Sequence, residues 1–358
     1  MLKLLVKNSN GTVDVNELAP TITWSGDYQQ CARTLEFELL SSPTDKSIPV
    51  VKCALGDAIS FYQDNTELFE GWAFSREKNT DGSTIDITAY DRGFYLNKDE
   101  SSYKFTNTTP EAVTRKVAAD FGIPVGEIAT TGFRFNRNFL GETLYGIIET
   151  AYTLASRKNG KKYHIVFRGP RLCVVEKTVT SSTLIIEGGS NLMDATMLES
   201  VEGMVNQVAI YDKNDKLVKT IKNAEAIQLY GLMQNYLQQA EGEDTAAKAQ
   251  KLLNDNNVQQ TITVNCLGNI ANVTGGTVVV HEPYTGLYGL FYIDSDTHTW
   301  KNGMYFNKLT LNFKNIMDEK EAGTLPNKDG SKTAAKTSKT KKGASNDVDT
   351  NFYVNKPK

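Results

Sequence analysis

Residues 56–96 read GDAISFYQDNTELFEGWAFSREKNTDGSTIDITAYDRGFYL, and their pattern of apolar residues indicates the fold. It contains three short runs, at 58–62, 68–74 and 85–90, with the alternation of apolar and polar residues that is typical of half-buried β-strands. Asp, Asn and Gly residues between the runs indicate turns. Residues 35–39 alternate in the same way. The first hundred residues are therefore predicted to form a small antiparallel barrel or sandwich.

The same three patterns recur near the end of the chain. Residues 56–61 have a counterpart in 276–280, residues 68–75 in 287–294, and residues 83–90 in 307–313. Three strands in one order, with similar turns, predict that a single β-domain occurs twice. The alternative is that two unrelated antiparallel meanders share a general likeness.

Between the two β-regions the apolar residues change to helical spacing. One helix is predicted to begin at Thr109, which is followed by a first-turn proline, and to stop at Gly122. A second helix is predicted from Leu144 to about Gly160, and residues 163–176 then fold back as a β-hairpin.

Strand patterns return at 183–186 and 205–211 and are followed by a predicted helical insertion. Apolar residues from Ile227 to Leu237 have helical spacing, and residues 246–253 continue as a second helix. Strands then resume through residue 313.

Together these patterns predict a β-rich α+β fold with two similar antiparallel β-barrel domains. The predicted parts are a first β-barrel domain over 1–97, a helix–helix–hairpin α/β domain over 98–180, a second β-barrel domain over 181–317 with a helical insertion at 223–257, and a flexible tail over 318–358. The tail is predicted because residues 328–342 consist of Lys, Ser, Thr, Ala and Gly with one Asp. Residues 351–354 form a short apolar patch within it, either a frayed end or a docking peptide for a neighbouring subunit.

The charge of the chain is divided between this tail and the rest. Residues 1–318 hold 30 Lys and Arg against 37 Asp and Glu, a net charge of −7, whereas the whole chain carries −3. A globular part with this balance repels nucleic acid, which is bound through clustered Lys and Arg. No nucleic-acid partner is predicted.

The apolar runs of the sequence are short. The apolar run within residues 1–8 is too short for a signal peptide. No segment reaches the roughly 20 apolar residues that cross a bilayer. We expect synthesis in a bacterial cytoplasm, release by lysis if the protein acts outside a cell, and no membrane contact in the resting state.

Residues with catalytic or metal-binding chemistry are scattered. The four cysteines form no CxxC pair, and Cys266 lies in a strand pattern where a buried, reduced thiol is expected. Of the three histidines, His164 and His281 lie in strand patterns and have no second ligand four residues away, and His298 follows Asp294 and Asp296. Asp294 and Asp296 share a strand face with His298, which suggests either a divalent-cation site or a polar strand end. No catalytic residue, cofactor or metal site is predicted.

Glu142 and Glu149 are the remaining candidates for hydrolytic chemistry. Glycoside hydrolysis needs two carboxyl groups on opposite sides of a sugar cleft. The two glutamates lie seven residues apart and are predicted to stack along one face of one helix. This placement argues against an enzyme.

The run 56–96, with its strand patterns and the sequence Asp91-Arg92-Gly93-Phe94, resembles the hub proteins of PBSX-type prophages and related tail-like bacteriocins. The wider family is of the late-control-D type and is similar to the baseplate hub of T-even phages and to the base of type VI secretion spikes. The resemblance covers about residues 1–317, includes the strand at 205–208, and carries no catalytic residue with it.

The resemblance implies a structural hub at the tip of a contractile tail. Three chains with two similar β-domains each would form a pseudo-sixfold ring between a sixfold tail tube and a threefold spike. The implied partners are copies of this chain, a tail tube or tube-initiator protein, a trimeric spike, and other baseplate and tape-measure proteins. Spike-bearing members continue into a β-helix, which the short polar tail here lacks, so the spike is expected on a separate chain.

Two other functions stay open on the sequence. Tyr and Trp residues on β-scaffolds could belong to a cell-wall carbohydrate-binding module, which predicts an exposed aromatic platform. The acidic residues could belong to a tail-associated peptidoglycan hydrolase, which predicts a cleft with Glu142 in it.

Overall fold

The computed structural model describes residues 1–9, 11–42, 45, 47, 49–78, 83–179, 184–240 and 244–320. The predicted docking patch at 351–354 and most of the predicted tail lie outside these residues. The fold is β-rich α+β, and five α-helices occur in the described ranges. No helix in those ranges is long and apolar enough to cross a membrane.

The first half of the chain contains strands of a large sheet and then a helical region. Its strands are β1 Leu2–Asn8, β2 Gly11–Asp14, β3 Thr21–Asp27, β4 Thr34–Leu40, β5 Ala58–Gln63, β6 Thr66–Lys78, β7 Thr84–Tyr90, β8 Glu100–Thr108, β9 Val125–Ile128, β10 Phe135–Thr143, β11 Tyr163–Arg168 and β12 Arg171–Glu176. The helices are α1 Gly93–Lys98, α2 Pro110–Asp120 and α3 Leu144–Asn159.

The second half returns to the large sheet. Its strands are β13 Leu184–Glu187, β14 Leu192–Ser200, β15 Gln207–Tyr211, β16 Leu217–Lys222, β17 Gln234–Gln238, β18 Gln259–Leu267, β19 Thr277–Glu282, β20 Leu287–Lys301 and β21 Met304–Asn312. The helices are α4 Ala224–Tyr230 and α5 Thr245–Asp255.

The alternation seen in the sequence decides which strand faces are buried. In β4, Leu35, Phe37 and Leu39 enter the core, and Glu36 stays exposed. Their neighbours across the core include Leu4 and Phe61. The predicted strands of the first hundred residues are confirmed.

The middle region packs α2 and α3 against short strands. Thr109 and Thr143 cap the two helices through their side-chain oxygens, and Gly160 ends α3 in the left-handed conformation. The predicted hairpin is β11–β12, which β9 joins in parallel. Strands β8 and β10 form a separate pair that the sequence did not reveal.

The inserted region between β14 and β18 is only partly helical. The prediction of helix through Leu237 is wrong beyond Tyr230, because Gly231, with φ of +82°, ends α4. The chain then forms β17, which pairs in parallel with β15. Helix α5 is confirmed, and with β15 to β17 it encloses a small core of Val208, Ile210, Ala249 and Leu253.

The large sheet contains two units with one strand order. The first β-unit comprises β1 and β3 to β7, and the second β-unit comprises β13, β14 and β18 to β21. Their orders in the sheet are β1-β5-β6-β7-β4-β3 and β13-β19-β20-β21-β18-β14. When the six strands of each unit are numbered along the chain, both units therefore have the spatial order 1-4-5-6-3-2. The units differ at one place, since β1 is antiparallel to β5 and β13 is parallel to β19.

Two glycines mark the equivalent turn in both units. Gly56 and Gly275 have φ of +87° and +88°, and the N–H of each donates to a carbonyl, that of Ala73 at 2.8 Å and that of Ile293 at 3.0 Å. Only glycine adopts this conformation without strain. The repeat predicted from the sequence matched Gly56 with Gly276, whereas the structure makes Gly275 its equivalent, so the predicted register is wrong by one residue.

The two β-units are joined in a single sheet of 13 strands. Strand β3 of the first unit pairs with β20 of the second. Among the described strands no pairing closes either unit on itself. The prediction of two closed barrels is therefore not confirmed, because the chain uses an edge of the first unit to extend the second.

Candidate functional site

The point where β3 and β20 meet holds a buried polar network, which we call the junction site. It consists of Trp24 on β3, Arg33 beside β4, Thr274, and Asp296 and His298 on β20. Trp24 lies directly opposite His298, and Asp296 lies opposite Gly26. A Cβ atom at position 26 would overlap the Arg33 guanidinium, so a larger residue there would displace this side chain from its present position.

A bidentate ion pair lies at the centre of the junction site. Arg33 Nη1 donates to Asp296 Oδ1 at 3.0 Å, and Nη2 donates to Oδ2. The guanidinium also stacks 3.8 Å above the Trp24 ring. Burial alone would raise the pKa of Asp296, but the Arg33 charge and the hydrogen bonds from His298 and Arg33 outweigh it and hold that pKa below its usual range. The pair is therefore ionised.

The motif at 91–93 positions Arg33. Asp91 accepts hydrogen bonds from the backbone N–H of Arg33 at 3.1 Å and of Gly93 at 2.8 Å. Burial raises the pKa of Asp91 to about 7, and these two hydrogen bonds oppose the rise. A Cβ atom at position 93 would collide with the backbone of Cys31 and Ala32. The sequence singled out this motif, and its role is to fix the loop that carries Arg33.

His298 is fully buried, and neighbouring polar groups surround its ring. Nδ1 lies 2.6 Å from the Tyr305 hydroxyl and 2.9 Å from Asn307 Nδ2, and Nε2 lies 3.1 Å from the Asn272 carbonyl. Because the Asn307 amide donates to Nδ1, the proton of a neutral ring belongs on Nε2. The imidazole holds β20, β21 and the loop before β19 together.

Asp294, Asp296 and His298 are all buried on β20, as the predicted shared face requires. Asp296 Oδ2 lies 3.2 Å from His298 Nε2, whereas Asp294 has other partners. A bulge at Asp294 interrupts the pairing of β20 with β21. Asp294 accepts from Asn312 Nδ2 at 2.9 Å and lies 4.0 Å from Lys177 Nζ. Asp296 instead accepts from the N–H and hydroxyl of Thr274, both at 2.6 Å. No cluster of three or more potential metal ligands occurs in the described part of the chain.

The remaining histidines and the cysteines occupy structural positions. His164 is buried on β11, and burial, with the Lys177 and Arg33 charges, lowers its pKa to about 3. His281 on β19 stacks on Tyr288 at 4.4 Å. All four cysteines are buried and free, and Cys266 is the buried thiol that the strand pattern predicted.

Glu142 and Glu149 do not share a helix, so that prediction is wrong. Glu142 lies on β10 and forms an ion pair with Lys320, whereas Glu149 lies on α3, which begins only at Leu144. Burial, together with the nearby Asp318 charge, raises the pKa of Glu149, and Tyr145 donates a hydrogen bond to Asp318 at 2.8 Å. Asp318 and Lys320, at the start of the predicted tail, thus cover both glutamates.

The tryptophans that motivated a wall-binding module lie inside the fold. Trp24 and Trp300 are buried, and Trp72 is half-buried with the Arg92 guanidinium 5.0 Å from its ring. The most exposed aromatic residues are instead Tyr284 and Tyr288, at the turn between β19 and β20. A platform built on tryptophan is therefore not present among the described residues.

Sequence reasoning missed the partners of Asp296 and His298. Arg33 and Asp296 are 263 positions apart. Arg33, Thr274 and Asn307 stand in no local motif with them. The one available signal was the repeat, which indicated that the two β-units belong together.

Comparisons with known proteins give a consistent picture. A family model described as YQBQ-like matches residues 22–312. The phage-like element PBSX protein XkdQ of Bacillus subtilis is 25% identical over 312 residues, which cover 84% of this chain and 94% of the relative.

Solved structures of two bacterial proteins share the fold. The 43 kDa tail protein of prophage MuSo2 from Shewanella oneidensis superposes with a TM-score of 0.65 at 15% identity, over 87% of this chain and 98% of that one. A tail protein from Neisseria meningitidis gives a TM-score of 0.58 at 15% identity, over 87% and 96% of the two chains.

Proposed function

The chain belongs to the YQBQ-like family, and on that premise we propose that it is a structural, non-catalytic hub of a contractile-tail baseplate. The proposal rests on the PBSX relative and on the tail-protein fold. The junction site supports a structural role, because the Asp296 carboxylate, the Thr274 hydroxyl and both ring nitrogens of His298 are bound by groups of the same chain.

The observation that carries the proposal is the pair of β-units with one strand order. Three chains would contribute six quasi-equivalent units, and a ring of six such units can contact a sixfold tube on one face and a threefold spike on the other. Head-to-tail contacts that close such a ring usually bury about 2,000 Å² or more.

The partners follow from this position in the particle. They are two further copies of the chain, a tail tube or tube-initiator protein, a trimeric spike protein, and other baseplate and tape-measure proteins. The α/β region at 98–180 and the insertion at 223–257 would contact the baseplate proteins. The protein would be made in the bacterial cytoplasm and leave the cell in the particle on lysis.

The test is the assembly state of the purified protein. Light scattering and negative-stain images of the chain, alone and mixed with its spike protein, should show a threefold ring with a central channel. Only monomers at every concentration and with the spike present would contradict the proposal. A peptidoglycan-binding assay on the same sample is the control for the wall-binding alternative and should be negative.

A further inference from the structure

The chain contains one complete example of an edge strand docked into a neighbouring unit. Strand β20 pairs with β19 only up to Tyr292, and the bulge at Asp294 follows. Its outer half, from Ser295 to Lys301, then accepts all seven residues of β3 as an antiparallel neighbour. An edge strand of the first β-unit is thus inserted beside the second β-unit.

The first β-unit has the same acceptor position, and among the described strands nothing pairs with it. Strand β6 pairs with β5 only up to Trp72, and a bulge at Phe74 follows. Its outer half, from Ser75 to Lys78, is exposed and pairs with β7 on one side. Unpaired backbone groups of this kind are sites for addition of a strand.

The second β-unit has the matching donor strand. Strand β14 is its edge, equivalent in strand order to β3, and within the described ranges it pairs only with β18. Met193 and Leu198 are 54% and 57% exposed on it. Within the described ranges, one donor strand and one acceptor strand therefore pair with each other, and a second donor and a second acceptor have no such partner.

We propose that β14 of one copy pairs antiparallel with the outer half of β6 in the next copy. This inference rests on the proposed function, since it names the contact by which the copies of the ring are joined. The contact is heterologous, because donor and acceptor are different surfaces, and each copy offers both. The pairing of an edge strand with the outer half of a long strand, which β3 and β20 show within one chain, would occur again between two chains.

The register follows from the strand pairings inside each unit. In the first β-unit, Trp24 lies opposite Leu35, Leu35 opposite Ala89, and Ala89 opposite Ala73. In the second β-unit, Met197 lies opposite Ile262, Ile262 opposite Leu311, and Leu311 opposite Ile293. Ala73 and Ile293 are equivalent, because their carbonyls accept from Gly56 and Gly275. Met197 is therefore the equivalent of Trp24. Beyond the two bulges, Ser75 is the equivalent of Ser295.

Transfer of the β3–β20 pairing to the new contact places specific residues opposite each other. Ser295 pairs with Asp27 and Asp296 with Gly26 in the chain. The corresponding pairs between copies are Ser75 with Ser200, Arg76 with Glu199, Glu77 with Leu198, and Lys78 with Met197. Arg76 and Glu199 have opposite charges, which favours this register, and Leu198 becomes covered.

A disulfide cross-link tests the register directly. Directly opposite residues of antiparallel strands have Cα atoms about 4.5 to 5.5 Å apart, within the roughly 4.4 to 6.8 Å that a disulfide spans. We expect Ser75→Cys mixed with Ser200→Cys to give a covalent two-chain product on oxidation. The double variant should give a covalent product that ends at three chains. The native cysteines are buried and do not compete.

A matched control keeps one cysteine and moves the other. In Ser75→Cys with Met193→Cys, the second thiol lies seven residues from Ser200, about 23 Å along the strand. This pair should not cross-link. Equal cross-linking of both pairs would overturn the register.

Charge reversal provides an independent readout without cysteines. Arg76→Glu or Glu199→Arg alone should weaken association about three- to tenfold, and the two together should restore it. Melting curves check that each variant is folded, because Arg76 also donates to the Cys53 carbonyl at 3.1 Å and Glu199 accepts from Gln260 at 2.7 Å.

The outcomes separate this inference from the proposed function. Threefold rings in the images without a Ser75–Ser200 cross-link would overturn the β14–β6 contact and leave the hub proposal in place. Monomers alone in both experiments would overturn both. Rings with the cross-link, and with restored association in the double charge variant, would support both.

Discussion

At the scale of single residues, Asp296 joins parts of the chain that are far apart in sequence. Its carboxylate accepts from Arg33 beside β4 and from Thr274 before β19, and its own strand carries His298. The side chain of Asp296 is 0% exposed and that of Arg33 is 11% exposed. A charge in such a place is stable only while its partner remains, because an unpaired ion loses its hydration without compensation.

Asp296→Asn should therefore destabilise the protein by about 3 to 5 kcal/mol, the usual cost of leaving the other member of a buried ion pair alone. Urea unfolding, followed by tryptophan fluorescence, measures this because Trp24 stacks on Arg33. Glu36→Gln on the exposed face of β4 is the matched control and should change the free energy of unfolding by less than about 0.5 kcal/mol.

The double variant Arg33→Met with Asp296→Asn separates loss of charge pairing from loss of packing. It should be more stable than Asp296→Asn alone, because no uncompensated guanidinium remains. Additive losses in the double variant would show that the two residues do not act as a pair.

At the scale of elements, the equivalent turns of the two β-units give a matched pair of test positions. Gly56 and Gly275 share a φ near +88°, a conformation that costs an L-residue about 1 to 2 kcal/mol. An added Cβ meets nothing within 4 Å at Gly56, but at Gly275 it would lie 3.3 Å from His164 Cδ2.

Both Gly56→Ala and Gly275→Ala should lower the melting temperature, and Gly275→Ala should lower it more, because it adds crowding against His164 to the same backbone strain. Thermal melting by circular dichroism measures the difference. Gly188→Ala, at an open position with an ordinary φ, serves as the control. If Gly56→Ala and Gly275→Ala melted at the same temperature as Gly188→Ala, the backbone strain assigned to the two turns would be contradicted.

Elements whose signal is local were predictable from the sequence, and elements that depend on distant pairing were not. The alternation in β4, the Thr109 cap of α2 and the end of α3 at Gly160 could be predicted because each signal lies within or next to one element. Residues 232–237 have helical spacing, yet Gln234–Gln238 form β17, because Gly231 ends the helix and β15 supplies a parallel partner. The ion pair of Arg33 with Asp296 had no local signal at all.

Across the complete fold, the two β-units with one strand order are not independent barrels. The core of the first β-unit includes Trp300, which lies on β20 of the second. Strand β3 has its outer edge covered by β20, so neither unit is complete without the other. Separate folding of the two units is therefore not expected, although they share a strand order.

A fragment of residues 1–179 should fail to fold as a stable monomer. It keeps every strand of the first β-unit but loses β20, which leaves the edge of β3 unpaired and removes Trp300 from the core. Open edges of this kind aggregate readily, and loss of a buried tryptophan costs about 3 to 5 kcal/mol. Residues 1–320 are the control, because this chain keeps both β-units and the contacts of Asp318 and Lys320. Light scattering and thermal melting of the two fragments measure the outcome. A monomeric 1–179 fragment with the melting temperature of 1–320 would show that β20 is dispensable to the first β-unit, and the β3–β20 junction would then be a poor template for contacts between copies.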